Sequence, residues 1–412
     1  MAESNPPSLT RYAWIVVALL FPVAVLNYLD RQMLATMKAS MVGDIPSIAN
    51  KADWGFVLGS FKWVYAVLSP VGGYIADRFS RRYVIVISLF TWSAVTWLTG
   101  HVTTFNELVA ARALMGISEA FYIPTALALI TDFHFGATRS RAVGLHQTGI
   151  YVGLILGGFA GYVADAPDFG WRWAFSVCGV IGLVYAIPLL AFLRNPPRAA
   201  GSDVHAPSPV GALSELLGNR NFILLVLYFT LPAIAGWVVK DWMPAILKEQ
   251  FGLGQGQAGV SAVLYVQIAT IIGAVVGGTL ADRWSRRHLR GRIYVSAMGM
   301  ILFLPALFGV GNAATLTMAI GFLILFGIGW GFFDTNNMPI LCQIARPEVR
   351  ATGYGIMNLV SISCGGFGDW GFGWLTDRGV ALNVIFGCFA GVALLSVGIV
   401  LLIRPRNLEA VK

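Results

Sequence analysis

Apolar residues along this chain fall into twelve long runs, which are separated by short polar stretches. A helix needs roughly 18 apolar residues to cross the hydrocarbon core of a bilayer, and the runs exceed that length. The pattern therefore predicts an all-α membrane protein with twelve transmembrane helices. We place these helices at residues 12–37, 54–77, 83–102, 106–131, 141–164, 173–193, 221–247, 257–282, 292–311, 315–343, 350–376 and 380–403.

One polar segment is much longer than the others. Residues 194–220 are rich in Pro, Ala, Gly and Ser, a composition typical of a flexible linker, and Leu213–Leu217 within it suggest a short surface helix. This linker divides the twelve runs six and six. We therefore predict an N-terminal six-helix bundle over residues 1–193, a cytoplasmic linker over 194–220 and a C-terminal six-helix bundle over 221–412.

Composition agrees with a membrane protein. Hydrophobic residues make up 57% of the 412 positions and charged residues only 12%, about half the charged share of a soluble domain. The polar start followed by a long first run predicts an uncleaved N-terminus. All four cysteines lie in apolar runs without a histidine partner, so we predict packing roles and neither a disulfide nor a metal site.

The basic residues predict the orientation in the membrane. Most of the 28 lysines and arginines fall in the loops and tails on the side of the N-terminus, which the positive-inside rule assigns to the cytoplasm. The opposite loops hold Lys38, Lys51, Arg172, Lys248 and Arg378. The net charge of +8 then reflects topology and contact with anionic lipid, and no motif points to nucleic acid. We predict a bacterial-type cytoplasmic membrane, with both termini cytoplasmic.

A loop motif occurs twice. The segment Gly72–Val84 reads GGYIADRFSRRYV, and Gly277–Leu289 reads GGTLADRWSRRHL. Each copy joins two predicted helices at the cytoplasmic surface, where its carboxylate can face the positive end of another helix and hold the inner side closed. Anchoring of topology by the arginines is the alternative. The gating candidates are Asp77, Arg78, Arg81, Asp282, Arg283 and Arg286.

The two halves match in their apolar runs as well. An acid with a glycine three residues before it and a proline five residues after it occurs at Glu119 in the fourth run and at Asp334 in the tenth. Asp30 in the first run likewise matches Asp241 in the seventh. Two such repeats with a site near mid-membrane are the layout of an alternating-access carrier.

These motifs resemble the major facilitator superfamily over essentially the whole chain. Within it, the segments NYLDR at Asn27–Arg31, RALMGISEA from Arg112 and GWRWAF from Gly170 resemble anion:cation symporters of sugar acids, sialic acid and organic anions. GYIADRFSRR and Arg139–Arg141 also resemble Spinster-like lipid transporters. In the resembling anion symporters, the matching Asp and Arg of the first span and Glu of the fourth couple protons to the bound anion.

Charges inside the predicted helices are the main candidates for function. Each costs at least about 2.5 kcal/mol in the bilayer and is kept only when it is paired or useful. Helix rise places Asp30 and Arg112 at a similar depth and Glu119 two turns deeper. We predict that Asp30 and Glu119 load protons and that Arg31 binds the substrate anion. A static ion-pair network of Asp30, Arg112 and Glu119 is the alternative.

Further polar residues extend this site. Lys62 in the second span, with Tyr65 on the same face, is predicted to contact substrate, although a lysine can also extend to the membrane surface. Arg112, Gln147 and Asn358 are further substrate candidates. Lys240 and Asp241, high in the seventh span, are predicted either to gate the outer mouth or to anchor the helix locally.

The inventory of motifs indicates transport and not catalysis. The chain has no P-loop, no nucleophile-and-base arrangement and no metal-ligand spacing, so we expect no enzyme activity, cofactor or metal. We predict a monomeric, proton-coupled importer of a small organic anion such as a sugar acid, sialic acid or a monocarboxylate. A Spinster-like carrier of lysophospholipid and a transporter-like receptor without net flux are the alternatives.

Overall fold

The computed structural model describes residues 7–134, 138–195 and 209–405. Within these ranges the backbone is helical nearly throughout and contains no strand. Helices satisfy every backbone hydrogen bond internally, which a membrane interior requires. The all-helical prediction is confirmed.

Fifteen α-helices follow one another in the described part of the chain. They are α1 Pro7–Thr36, α2 Lys38–Asp44, α3 Lys51–Arg78, α4 Arg81–Thr99, α5 Phe105–Glu119, α6 Tyr122–Phe133, α7 Arg139–Asp165, α8 Gly170–Phe192, α9 Pro209–Gly218, α10 Arg220–Phe251, α11 Gln255–Ser285, α12 Gly291–Gly311, α13 Leu316–Ile344, α14 Arg350–Asp377 and α15 Leu382–Leu402. Two short 3₁₀ helices lie at Pro46–Ala49 and Pro347–Val349.

Among the described residues, ten segments are long and apolar enough to cross a membrane. One of them, Phe105–Phe133, combines α5 and α6. Helices α3 and α14 are also long, with 28 residues each, but contain more polar positions and are not among the ten. Each of the twelve predicted runs thus corresponds to a long helix or, in the fourth run, to a pair of helices.

Contacts divide the chain into two compact units. Unit 1 comprises Met1–Ala49, Ser60–Ser202 and Gly254–Gly259, and unit 2 comprises Asn50–Gly59, Asp203–Leu253 and Val260–Lys412. The first turns of α3 therefore count with unit 2, and the first turn of α11 counts with unit 1. The domain boundaries suggested by the sequence stay a prediction.

In unit 1, glycines bring α7 against the backbone of α1. A Cβ atom at Gly153 would lie 2.4 Å from the carbonyl oxygen of Val25, and one at Gly157 would lie 2.8 Å from that of Leu29. Small residues at such spacing let membrane helices approach closely. This contact fixes the half of α1 that carries the charged residues described below.

A buried aromatic residue joins α6 to its neighbours in unit 1. Tyr122 is fully buried, packs edge-on against Trp92 at 5.3 Å, and donates its hydroxyl hydrogen to the carbonyl oxygen of Leu20 at 3.2 Å. The same hydroxyl lies 2.9 Å from Nε2 of the buried His146. Because a buried tyrosine hydroxyl needs a partner, these contacts fix α6 against both α1 and α7.

In unit 2, α13 packs on α11 through the same kind of contact. A Cβ atom at Gly331 would lie 2.4 Å from the carbonyl oxygen of Thr270. In unit 1 the matching Gly116 of α5 faces α3, where a Cβ atom would lie 2.7 Å from the carbonyl oxygen of Phe61. Each of these glycines stands three residues before an acid, so both units present that acid from an equivalent helix crossing.

The helix α9 contains the short helix that was expected at Leu213–Leu217. Residues 196–208 of the predicted linker lie outside the described ranges. Glu215 of α9 accepts hydrogen bonds from Arg346, with Nε to Oε1 at 2.9 Å. These bonds hold the pKa of Glu215 below its ordinary value. The ion pair attaches α9 to the segment between α13 and α14.

Candidate functional site

The fourth span is interrupted at the acid that the sequence selects. Helix α5 ends at Glu119 and α6 begins at Tyr122, so the regular helix is interrupted at Ala120 and Phe121, although both keep right-handed helical backbone angles. The ring of Pro124 clashes with the carbonyl four residues earlier, that of Ala120, and has no N–H to offer it. Gly72 of α3 approaches this carbonyl, since a Cβ atom there would lie 2.7 Å from its oxygen. The predicted fourth span at 106–131 corresponds to the single segment Phe105–Phe133, and the interruption within it was not predicted.

Glu119 forms an ion pair with Arg31 of α1. The Nη2 atom of Arg31 lies 2.5 Å from Oε2 of Glu119, and Nε donates to the same oxygen at 2.5 Å. The side chain of Glu119 is fully buried and that of Arg31 is 11% exposed. The charge-assisted hydrogen bond from Nε and the close Nη2 contact, both away from water, make Glu119 the dominant partner of the arginine.

Aromatic rings surround the guanidinium of Arg31. Its carbon lies 4.7 Å from the ring centre of Tyr28, 4.7 Å from that of Phe61 and 4.9 Å from that of Tyr65. Phe61 and Tyr65 stand one turn apart on α3 and stack on each other at 5.6 Å. Ring faces attract a cation, and most strongly where water is excluded. The arginine is therefore held by electrostatic attraction on several sides.

A second acid and a second arginine complete the charge cluster, which we define as Asp30, Arg31, Arg112 and Glu119. Asp30 is buried and accepts a hydrogen bond from the hydroxyl of Thr96 at 2.8 Å, while its Oδ1 atom accepts none within the described part of the chain. Asp30 also interacts electrostatically with Glu119 and with both arginines.

The second arginine is positioned by contacts of its own. Arg112 is 3% exposed, its guanidinium carbon lies 4.7 Å from the ring centre of Phe61, and Nη1 lies 3.1 Å from the sulfur of Met115. Phe61 therefore contacts both arginines of the cluster. Two positive and two negative groups are thus buried together in unit 1, with a net charge of zero when all are ionised.

One further predicted site residue contacts the charge cluster, and the roles of the others stay predictions. The structure brings Tyr65 to Arg31, as described above. Lys62 is 3% exposed and Gln147 is half-buried, both in unit 1, and Asn358 is half-buried in unit 2. Their predicted contacts with substrate stay predictions. Lys240 lies 5.0 Å from the ring centre of Trp237, and Asp241 is 8% exposed.

The two copies of the loop motif have different surroundings. The side chain of Asp77 lies outside the described part of the structure. Arg81 binds Asp132, and its Nη1 donates to the carbonyl oxygen of Ala128 at 3.2 Å. In the second copy, Asp282 accepts a hydrogen bond from Arg292 at 2.6 Å. Arg78, Arg283 and Arg286 are exposed. The gating roles stay predictions.

Sequence reasoning missed several neighbours of the cluster. Tyr28 and Phe61 were not selected, although Phe61 stands one turn before Tyr65 and Tyr28 lies in the same motif as Arg31. Thr96 gave no signal, because a threonine in an apolar run is ordinary. Among the described residues, no group of three or more His, Cys, Asp or Glu side chains is placed to hold a metal ion.

Comparison with known families is decisive for the fold. Residues 20–369 match the family described as the Major Facilitator Superfamily. The chain belongs to this superfamily. It is therefore a transporter of the superfamily's all-helical, multi-pass membrane class, as its motifs indicated.

The chain is similar to several Spinster proteins. The chain is 27% identical to Protein spinster of Drosophila melanogaster over 90% of its own length and 62% of that protein. It is 29% identical to Protein spinster homolog 1 of Homo sapiens, covering 88% of this chain and 73% of the relative. It is 30% identical to Protein spinster homolog 3 of Danio rerio, covering 89% and 76%. The similarity to Spinster seen in the loop motif is confirmed.

Solved structures share the fold. A bacterial homologue of the human lysosomal transporter Spinster, crystallised inward-facing and occupied, matches with a TM-score of 0.80 at 20% identity, covering 97% of each chain. A D-xylose-proton symporter matches with a TM-score of 0.73 at 17% identity, covering 94% of this chain and 97% of the other. At these identities the likeness concerns the fold.

Proposed function

We propose that this protein is a proton-coupled symporter that takes up a substrate with an anionic group by alternating access. Membership of the superfamily makes it a transporter. The observation that carries the rest is the buried ion pair between Arg31 and Glu119, at 2.5 Å beside a second acid. The coupling ion is then a proton, the substrate carries an anionic group, and residues of the charge cluster bind both.

Competition for one arginine supplies the coupling. While Glu119 is ionised, its carboxylate occupies the guanidinium of Arg31. A proton on Glu119 removes the negative charge that holds the arginine. The guanidinium is then able to donate a forked pair of hydrogen bonds to the anionic group of the substrate. The proton and the anion consequently load together, and the departure of either one favours release of the other.

Charge balance favours this pairing of proton and anion. The four groups of the charge cluster sum to zero in their ionised forms. One proton and one monovalent anion, bound together, leave the sum at zero, whereas either alone leaves a net charge in a buried place. An uncompensated buried charge is strongly destabilising. Asp30, which interacts with Glu119, is the second site we propose for the proton.

The class of anion has two candidates. A small organic anion, such as a sugar acid, sialic acid or a monocarboxylate, fits the forked arginine. A lysophospholipid is the second candidate, and it is favoured by the similarity to Spinster proteins and by the rings of Tyr28, Phe61 and Tyr65 beside Arg31. We further propose that the carrier works as a monomer in a bacterial-type cytoplasmic membrane, with both termini in the cytoplasm.

Uptake by the purified protein in liposomes tests the proposal. Labelled sugar acids, sialic acid, monocarboxylates and a lysophospholipid are offered with and without an inward proton gradient. We expect the gradient to drive accumulation of at least one anion and the Arg31→Ala protein to lose it. Uptake that is equal with and without the proton gradient, or that is unchanged in the Arg31→Ala protein, contradicts the proposal. The static ion-pair network of Asp30, Arg112 and Glu119, the alternative suggested by the sequence, predicts that Glu119→Gln misfolds, whereas coupling predicts a folded variant that exchanges substrate but does not accumulate it.

A further inference from the structure

Unit 2 contains an acid deep in a membrane helix that forms no ion pair with any residue the structure describes. Asp334 lies 18 residues after the start of α13 and 10 before its end, about 27 Å and 15 Å along the axis. Its side chain is exposed, and within the described part of the chain no hydrogen bond and no ion pair reaches its carboxylate. A carboxylate at this depth is kept when it faces water or a ligand.

The matching acid of unit 1 behaves differently. Glu119 is fully buried and paired with Arg31, while Asp334 follows the same glycine spacing against its neighbouring helix and forms no ion pair with the described residues. The sequence explains the difference. In unit 1 an arginine follows Asp30, whereas in unit 2 Trp242 follows Asp241. The arginine that would neutralise the second acid is thus replaced by a residue without charge.

One cation of unit 2 interacts with Asp334 electrostatically. Lys240 of α10 attracts this carboxylate electrostatically, but its ammonium lies over the ring of Trp237 at 5.0 Å. Among the residues that the structure describes, Asp334 forms no ion pair within 4 Å. The oxygens of Asp334 therefore remain able to accept hydrogen bonds or to face a cation from outside the protein.

The face of α13 around Asp334 suits an organic cation. Trp330 stands one turn before the acid and Met338 one turn after it. Trp330 is half-buried and packs on Gly236, while Met338 is 39% exposed. An indole ring and a thioether offer polarisable surface beside the carboxylate, a combination that attracts an ammonium group with its alkyl substituents.

We propose that Asp334 binds an ammonium group of the transported substrate. The inference rests on the proposed function in one respect, that the protein carries an organic substrate with an anionic group. The substrate is then a zwitterion, and Asp334 selects it over an anion of the same shape that has no positive charge. Among lysophospholipids, the substrate is then one with an amino group. Among small organic anions, it is likewise an acid with an amino group.

Binding of matched probe pairs to the purified full chain tests the assignment. The lipid pair is lysophosphatidylethanolamine and lysophosphatidylglycerol with the same acyl chain, and the small pair is β-alanine and propionate. We expect the wild-type protein to prefer the ammonium-bearing member of one pair. Which pair shows the preference distinguishes a lipid from a small solute.

The variant Asp334→Asn removes the charge and keeps the shape. We expect it to weaken binding of the ammonium-bearing probe about 10- to 150-fold, the range for a hydrogen bond to a charged group. Binding of the partner without an ammonium, lysophosphatidylglycerol or propionate, should change less than about twofold. The matched control Asp168→Asn removes an exposed carboxylate from the loop after α7 and should change neither. Equal losses for both members of a pair, or no loss at all, overturn the assignment.

Two further measurements keep this test conclusive. If Asp334→Asn fails to fold, carbodiimide labelling of Asp334 in the wild-type protein replaces it. The ammonium-bearing probe must then slow labelling and its partner must not, and equal protection by both overturns the assignment. Arg31→Ala separates the two proposals. Binding that survives this substitution counts against the proposed function, whereas failure of discrimination at Asp334 alone counts only against the ammonium site.

Discussion

Replacement of Glu119 by glutamine is the most informative single change in the charge cluster. Glutamine keeps the size and the planar head of the side chain but is neutral at every pH, so it imitates the protonated acid. If the proton on Glu119 is the coupling proton, the Glu119→Gln protein binds substrate without first binding a proton. The variant should therefore exchange labelled for unlabelled substrate across a membrane but fail to accumulate it with a proton gradient.

The structure gives a magnitude for the effect on affinity. In the ionised wild-type protein, the substrate must displace the carboxylate that contacts Arg31 at 2.5 Å. Hydrogen bonds to charged groups contribute about 1.5–3 kcal/mol, and each 1.4 kcal/mol is a factor of ten in affinity. At a pH where Glu119 is ionised, Glu119→Gln should thus bind the anion about 10- to 150-fold more tightly than the wild-type protein does. Its affinity should also depend much less on pH.

Two assays check this prediction. Equilibrium binding measured between about pH 5.5 and 8.5 gives the pH dependence of affinity, and counterflow in liposomes gives exchange. Glu107→Gln is the matched control, because Glu107 is an exposed acid on the same helix and glutamine preserves its capping role at Thr104. Proton-driven accumulation by Glu119→Gln, or an unchanged pH dependence of its affinity, would refute the coupling mechanism.

The other predictions concern neighbouring parts of the molecule. Arg31→Lys keeps the charge but loses the planar fork, so KM for the anion should rise at least about tenfold in uptake assays, and an unchanged KM contradicts the forked contact. Gly153→Ala places a Cβ atom 2.4 Å from a carbonyl of α1 and should destabilise the protein by about 1–3 kcal/mol in thermal unfolding. At Gly144 on the same helix an added Cβ atom meets no atom within 4 Å, so Gly144→Ala should not destabilise the protein; equal melting temperatures of the two variants would contradict the close contact of α7 with α1. The pKa of Glu215 is lowered by Arg346, so this contact stabilises the docked α9 above the unfolded pKa of about 4.3 and is lost as the pH falls through the lowered value. Hydrogen exchange of α9 should accordingly be a few-fold faster in Glu215→Gln at neutral pH, with the difference vanishing near pH 3; a difference that persists there would exclude this ion pair as its cause.

Helices could be predicted from the sequence because the bilayer imposes one period and one minimum length. The break after Glu119 could not, since Pro124 and the matching Pro339 look alike in the sequence. Only the first accompanies an interruption, while α13 continues from Leu316 to Ile344. The local surroundings of each proline decide the outcome, and those surroundings come from other helices.

The charge cluster could be predicted in part. Asp30, Arg31, Arg112 and Glu119 were selected because charge inside the bilayer is costly. The pairing of Arg31 with Glu119 was not predicted, because spacing along a helix gives depth but not the direction in which a side chain points across to another helix. From the sequence we predicted only that Arg31 binds the substrate anion, whereas in the structure it forms an ion pair with Glu119. Under the proposed function, that contact makes Arg31 part of the coupling as well as of the binding site.

Simultaneous movement of protons and substrate is the most direct test of the central claim. Liposomes containing the protein and a pH-sensitive dye receive an inward gradient of substrate with no initial pH difference. The account predicts that substrate entry acidifies the lumen in the wild-type protein, and that Glu119→Gln lets no protons in with the substrate. Substrate entry without acidification in the wild-type protein, or equal acidification in both proteins, would contradict the proposal that Glu119 carries the coupled proton.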